Sequence, residues 1–336
     1  MSPLVSILIP AYNSERWIAQ TIRSALAQTW PHKEIIIVDD GSTDGTLTIA
    51  RQFASKELTV LTQENAGAST ARNKAFSLCQ GDYIQWLDAD DLLSPDKVAA
   101  QMSALNQCTS RRTVLSSGYG VFIYRSRTAR FNPSALWCDL TSEEWLMRRW
   151  EQNLFMQPAT WLASRELTVA AGPWDSTLSL DDDGEYYTRV VLASDGVKFV
   201  PEGRVFYRRG FDSLSYMGCS PKRMESQCRS IELQVQHVRS LGDHDRLRAA
   251  CLGFLQEWLP WFYPEHKGMV DRLNKLAAEL GGELSTPRLP PKYHWIQKSF
   301  GWAAAKRAQM FVPRVKRSLV RSWDRALFQL EGGAQS

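Results

Sequence analysis

Long apolar runs are missing from this 336-residue chain, and none approaches the roughly 18 to 20 residues that a bilayer-spanning helix needs. A basic-flanked leader is missing too. The chain enters Val5-Ser6-Ile7-Leu8-Ile9 directly, which reads as a strand and not as a signal peptide. Close cysteine pairs are absent: Cys79, Cys108, Cys138, Cys219, Cys228 and Cys251 are scattered, none at zinc or redox spacing, so reduced thiols in the cytoplasm are the simplest expectation. There is no internal repeat and no low-complexity segment. The formal net charge of +4 is mild, although unevenly spread. What remains, with 44% hydrophobic and 23% charged residues, is an ordinary globular composition long enough for one large domain or two.

What the sequence has is alternation. Val5–Ile9, Glu34–Val38 and Leu58–Leu61 are apolar, mostly β-branched runs, the pattern of parallel strands covered on both faces. Helical segments separate them: Ser14 to about Gln28, with Trp17, Ile18, Ile22, Ala25 and Leu26 at helical spacing, then Thr46 to about Phe53, then Gly67 to Cys79. Strand and helix alternate three times over the first ninety residues, which predicts a mostly parallel α/β sheet with right-handed crossovers. Beyond Asp96 the rhythm changes. A helix over Lys97–Asn106 is followed by strand-like runs at Thr113–Ser116, Val121–Tyr124, Trp161–Ser164 and Val197–Val200, with helices at Thr141–Asn153 and Tyr186–Ala193. From about Pro221 the pattern is helical, with breaks expected at Leu259-Pro260, at Gly281-Gly282 and at Pro287, Pro290 and Pro291. A boundary near 220 divides a first domain, 1–220, from a helical region, 221–336.

The stretch that organises the first domain is Tyr83-Ile84-Gln85-Trp86-Leu87-Asp88-Ala89-Asp90-Asp91, a buried strand running into three carboxylates. Strand alternation predicts that Asp88 and Asp90 point to one side and Ala89 to the other. Like charges on one side repel, and a divalent cation held by oxygen ligands, Mg2+ or Mn2+ with phosphate oxygens completing its shell, is the usual resolution. A solvated acidic turn before a helix at Ser94-Pro95-Asp96-Lys97 is the plainer alternative. The apolar run feeding the motif favours the first, because catalytic groups sit at the carboxyl ends of strands in open α/β sheets. The other strands also end in polar residues, Tyr12 and Asn13 after the first and Asp39 and Asp40 after the second, with helix N-termini following.

In this order and spacing the residues resemble glycosyltransferase family 2. The motifs are Val5 through Asn13, Ile36 through Asp44, Asn65-Ala66-Gly67 with Ala71-Arg72-Asn73, Gly81 through Asp91, and Trp174-Asp175 followed by Asp182-Asp183 and Arg189. They span about residues 4 to 215. The resemblance implies a twisted, mostly parallel sheet flanked by helices, of the nucleotide-diphospho-sugar transferase (GT-A) type. It also implies inverting transfer of a sugar from a nucleotide-diphosphate donor to a saccharide or lipid-linked saccharide acceptor. Carried over, Pro10, Tyr12, Asn13, Asp39, Asp40, Gly67, Arg72, Asp88, Ala89 and Asp90 line the donor pocket. Asp88 meets the ribose or sugar, and Asp90 holds Mg2+ or Mn2+. Asp183 falls where the family keeps its general base, with Asp182 ambiguous by one position and a solvated helix start as the plainer alternative. Relatives often carry a histidine shortly after the arginine near Arg208-Arg209. Here Gly210 and Phe211 follow, so no metal histidine is expected.

Two rivals leave distinguishable marks. A nucleotidyltransferase making a sugar nucleotide would carry a glycine-rich loop with Arg and Lys after the first strand, and Pro10-Ala11-Tyr12-Asn13 is not one. An inactive sugar-nucleotide-binding protein would release no sugar from a donor. Leu146-Met147-Arg148-Arg149-Trp150 resembles the Gln-x-x-Arg-Trp motif of processive synthases, but Leu146 stands for the Gln and the motif precedes the base, so a processive synthase is not expected.

From Arg288 to Arg325 there are ten Lys or Arg and one acid, Asp324, interleaved with Trp295, Ile296, Phe300, Trp302, Phe311, Val312, Leu319 and Trp323. Such a basic amphipathic stretch docks on an anionic membrane surface or packs its apolar face onto the protein, and both stay open. Nucleic acid is not expected, because no recognition motif accompanies the charge. The expected location is cytoplasmic, or peripheral on the inner face of the membrane.

Overall fold

Strand β1 (Val5–Ala11) is buried at every position and lies in the middle of a five-stranded sheet. Along the chain follow α1 (Ile18–Leu26), β2 (Lys33–Asp39), α2 (Thr46–Arg51), β3 (Leu58–Thr62), α3 (Ala68–Leu78) and β4 (Tyr83–Trp86). Next come β5 (Leu92–Leu93), α4 (Lys97–Ala104), β6 (Thr113–Phe122), β7 (Arg130–Phe131), α5 (Ser142–Glu151), β8 (Ala163–Ser164), α6 (Arg165–Ala171), α7 (Asp182–Ala193), β9 (Gly196–Arg208) and α8 (Pro221–Val238). The computed structural model describes residues 2–108, 110–209 and 220–330, so Gly210, Phe211 and Cys219 lie outside the described residues.

The first sheet has the order β3-β2-β1-β4-β8, parallel throughout except for β8. The chain leaves β1 toward β2 and β3, then returns to β4 on the other side. The crevice at the carboxyl ends of β1 and β4 is therefore a topological switch point, where open α/β sheets bind ligands. Ile7, Ile9, Ile35 and Ile37 form the core with Ile18, Ile22 and Ala25 of α1, at the expected spacing. Gly81 opens β4 against β1, where a Cβ would come within 2.3 Å of Ser6 Oγ, so nothing larger fits.

A second sheet, β5-β9-β6-β7, is formed largely by the later strands. The run at Thr113–Ser116 and the first two residues of the run at Val121–Tyr124 belong to one strand, β6, whose register against β9 shifts between Ser117 and Gly118. The run at Val197–Val200 belongs to the much longer β9, whose polar residues pair through the backbone and carry no apolar signature.

Two compact units divide the chain, residues 1–122 with 126–242, and residues 123–125 with 243–336. The break between these units falls after Gly242. Helix α8 packs on α7: Gln227, Ser230 and Gln234 bond Asp181, and His237 bonds Glu185. The second unit contains α9 (Asp245–Phe262), α10 (Lys267–Glu279) and α11 (His294–Leu330), the last kinked at Gly301. Pro260 does not break α9. It lies in the last turn, where it forfeits one backbone hydrogen bond while Tyr263 N–H still reaches the Leu259 carbonyl at 3.0 Å.

Candidate active site

Ala11 and Asp39 are register partners at the ends of β1 and β2, which brings the loops that follow to one level. Asn13, in the left-handed region at φ 46°, ties them: its Oδ1 accepts from Thr43 N–H at 2.8 Å, and its N–H donates to Ser42 Oγ at 3.0 Å. Tyr12 beside it is 48% exposed and presents a bare ring. Pro10 is buried inside β1, opposite Val38.

Asp39 and Asp40 have different surroundings. Asp39 Oδ2 accepts from Ser42 N–H and Thr62 Oγ, whereas its Oδ1 is buried without a partner among the described residues. Asp40 Oδ1 takes Gln63 Nε2 and Ala66 N–H, and Oδ2 takes Asn65 Nδ2 and Gly67 N–H, all at 2.7–3.2 Å. Its acceptor sites are thus filled by the loop before α3, which Asp40 holds in place. Gly67 takes φ +93° at the start of α3, a conformation that favours glycine.

Strand β4 ends at Trp86, and Asp91 N–H returns to the Asp88 carbonyl at 3.1 Å, so Asp88–Asp91 is a turn. Strand alternation therefore does not set the carboxylate directions, which corrects the geometric premise read from sequence. Ala89 is buried in the core, its carbonyl bonded by Thr21 Oγ1, so its side chain does not line the pocket. Asp91 is fully buried, accepting from Arg208 N–H and from Gln157 Nε2. Arg208 also donates to the Asp90 carbonyl at 2.7 Å and lies over the Trp17 ring at 3.9 Å, bracing the turn.

Asp88 and Asp90 remain. Asp88 Oδ1 bonds Arg72, while Asp88 Oδ2 and the Asp90 carboxylate have no hydrogen-bond partner among the described residues. Burial, then Asp88, push Asp90 up to about 7. Among the described residues no group of three His, Cys, Asp or Glu is set to hold a metal. The free Asp88 oxygen and the Asp90 carboxylate, hard donors that repel each other, would suit Mg2+ or Mn2+ with further ligands from water and phosphate.

Arg72 joins this turn to the late acidic cluster. Its side chain is buried, with Nη2 2.9 Å from Asp88 Oδ1 and Nη1 2.7 Å from Asp182 Oδ2, and it lies over the Trp174 ring at 4.2 Å. Asn73 clips the Trp174 backbone in both directions, at 2.8 and 2.9 Å, and Tyr186 stacks on that ring at 3.9 Å. Arg189 pairs with Glu185 and donates to the Pro173 carbonyl, fixing the loop that carries Trp174. The sequence motifs Ala71-Arg72-Asn73 and Trp174-Asp175 are thus one contact.

The three late aspartates separate by their partners. Asp181 Oδ2 is held by Gln227, Ser230 and Gln234 of α8 at 2.8–2.9 Å. Asp182 Oδ2 takes Ser69 Oγ and Arg72. Asp183 accepts only from Gly184 N–H, at 3.0 Å, leaving its other oxygen uncommitted among the described residues. Burial, then Asp182 and Asp181, push Asp183 up to about 7.

Arg149, set aside in the sequence as part of a synthase-like motif, also reaches this cluster. It donates to Gln234 Oε1 at 3.0 Å and to Thr188 Oγ1, and burial lowers its proton affinity although Asp181 and Asp183 act against that. Its signal was the Arg-Trp pair itself. Trp174 as a platform and Ser69 as a partner of Asp182 had no signal beyond their motifs.

A parallel sheet with this switch point, and an acidic turn bridged to a late acidic cluster, is a nucleotide-diphospho-sugar transferase fold of the GT-A type. Residues 6–152 match the profile of Glycosyl transferase family 2, and over that segment the resemblance to the family is established. An uncharacterized glycosyltransferase of Rickettsia typhi is 39% identical over 130 residues, which are 39% of this chain and 41% of that protein. The chain thus spans about two fifths of that relative's length. A putative teichuronic acid biosynthesis glycosyltransferase of Bacillus subtilis, TuaG, is 46% identical over 103 residues, 30% of this chain and 41% of its own. The crystal structure of S. aureus TarS 1-349 in complex with UDP-GlcNAc superposes with a TM-score of 0.66 at 18% identity, over 82% of this chain and 81% of that one. It is a likeness of fold. No helix among the described residues is long and apolar enough to cross a membrane.

Proposed function

We propose that this chain is an inverting glycosyltransferase that moves a sugar from a nucleotide-diphosphate donor to an acceptor hydroxyl, in cell-surface polysaccharide or glycolipid assembly. The observation that carries it is the bridge Asp88–Arg72–Asp182, beside which Asp183 keeps one oxygen uncommitted. One arginine couples a charge-rich turn suited to a diphosphate with a carboxyl suited to accept a proton. The names of the relatives support the assembly reading, and the UDP-GlcNAc complex of TarS makes that donor the first to test.

In this reading the base of the donor stacks on Tyr12 and offers an N–H to Asp39 Oδ1, whose burial without a partner is otherwise unfavourable by about 1–3 kcal/mol. Asp90 would hold Mg2+ or Mn2+, with Asp88 meeting the ribose or sugar, and the ion would offset the charge growing on the leaving diphosphate. Asp183 takes the acceptor hydroxyl proton as that oxygen bonds to the anomeric carbon and the bond to the diphosphate breaks. Attack from the side opposite the leaving group inverts the configuration. Arg72, paired with Asp182 and Asp88, works against their repulsion of the Asp183 charge without cancelling it.

The test is release of nucleoside diphosphate from a panel of nucleotide sugars, UDP-GlcNAc first, with and without Mn2+ and in the absence of acceptor. Slow metal-dependent release is expected; no release from any donor, with or without saccharide acceptors, would leave a binding protein. A donor at 100 times its Kd should also raise stability by about 2.7 kcal/mol in a thermal-shift screen. Asp90→Ala should abolish metal-dependent binding of nucleoside diphosphate and leave the fold intact, because the side chain has no structural partner among the described residues. Calorimetry with Mn2+ measures this, and unchanged affinity would remove the metal assignment.

A further inference from the structure

The second unit divides its apolar side chains in two. Leu289, Tyr293 and Ala305 are buried together, with Ile296, Trp302 and Ala308 against them. Lys306 reinforces that side, its ammonium 4.9 Å from the Trp302 ring centre and 3.0 Å from the Tyr263 carbonyl. This much of the basic stretch packs inward. Trp295, Phe300, Trp323 and Leu330 do not: they are 64%, 70%, 71% and 82% exposed. Scattered exposed leucines are ordinary, but large aromatics this bare in one basic segment mark an interaction surface. Trp323 and Leu330 are seven residues apart on α11 and so share one helix face.

Charge says what covers these side chains. The only acid between Arg288 and Arg325 is Asp324, and it is buried, its carboxylate taken by Arg125 Nε at 2.7 Å and Tyr124 N–H at 3.0 Å. Among the described residues the exposed charge of the stretch is therefore all positive: Arg288, Lys292, Lys298 and Arg325. Phe311, Val312 and Leu319 lie among residues whose side chains are not described. A surface with bare tryptophans and one sign of charge matches the interface of an anionic bilayer, where indole rings sit at headgroup level and Lys and Arg meet phosphate. With no helix among the described residues long and apolar enough to cross, the contact lies along the surface.

We propose that α11 and the segment leading into it dock this protein on an anionic phospholipid surface through Trp295, Phe300 and Trp323, with the surrounding Lys and Arg supplying attraction. The surface stands on its own observations. Only its consequence, an acceptor anchored in the same bilayer, rests on the transfer reading.

Full-length protein is mixed with vesicles of phosphatidylcholine alone or with phosphatidylglycerol, then sedimented. Binding to the anionic vesicles is expected at about 50 mM salt and release at about 500 mM, where the Debye length is short. Trp295→Ser, Phe300→Ser and Trp323→Ser together should cut the bound fraction at least about tenfold, with melting temperature and donor hydrolysis unchanged because these side chains are exposed. Three results overturn the proposal: no binding to anionic vesicles at low salt, equal binding to neutral ones, or full binding by the triple variant. Salt-sensitive binding that the triple variant keeps and that RNA displaces would mark a general polyanion surface, which also overturns it. Donor hydrolysis is measured without vesicles, so failure of the docking surface and failure of the transfer reading are separable.

Discussion

Asp183→Asn is expected to lower transfer turnover at least about a hundredfold, roughly 2.7 kcal/mol of lost transition-state stabilisation, with donor affinity nearly unchanged. Asparagine keeps the size of the side chain and removes its capacity to take a proton. Wild-type turnover should rise with pH and level off above about 7, because burial with Asp182 and Asp181 holds the Asp183 carboxyl near that value and only its ionised form accepts a proton. The variant should lose that limb. Its neighbours respond differently. Asp182→Asn weakens the bridge to Arg72, which should disturb donor binding as well as turnover. Asp181→Asn disturbs three bonds from α8 and should show chiefly as a lower melting temperature. Steady-state kinetics with donor titrations separate the three. Turnover loss confined to Asp182→Asn would shift the base by one position, and equal modest losses at all three would reduce the cluster to an acidic helix start.

Arg72→Met should destabilise the protein by about 3 kcal/mol or more, near the lower end for removing one partner of a buried ion pair, since Asp88 is partly solvated. Methionine fills much of the volume over Trp174 but leaves Asp88 and Asp182 facing each other without a cation. The remedy available to the variant is protonation, so it should be less destabilised in mild acid than at neutral pH. Denaturant melts at two pH values measure this. Arg72→Lys should recover only part of the loss, because one ammonium cannot span both carboxylates as the guanidinium does. A variant as stable as the parent at neutral pH would mean that the bridge holds nothing together.

Much of this was legible in the chain itself. Val5–Ile9, Glu34–Val38 and Leu58–Leu61 are buried strands because interior parallel strands need apolar, β-branched residues on both faces, and that requirement is local. Motif order alone carried the family resemblance, and the carboxylates stand at strand ends as the polar residues there suggested. Strand β9 is legible in the sequence only over Val197–Val200 because its length is set by pairing with β6, not by its own composition. Gln227, Ser230 and Gln234 look like an ordinary polar helix face in the sequence, and only the fold shows Asp181 beneath them.

Composition and spacing by themselves determined the α/β class, the parallel strands, the acidic motifs and the basic aromatic tail, since each is written in side-chain polarity over a few consecutive residues. Only the tertiary structure decided how hydrogen bonds are shared among like residues: Asp40 saturated by its loop while Asp39 keeps a bare oxygen, and Asp181 and Asp182 engaged while Asp183 is not. Arg72 reaches 16 residues along the chain to Asp88 and 110 to Asp182. Three adjacent aspartates are chemically identical in sequence, and they acquire different partners only when remote helices close around them.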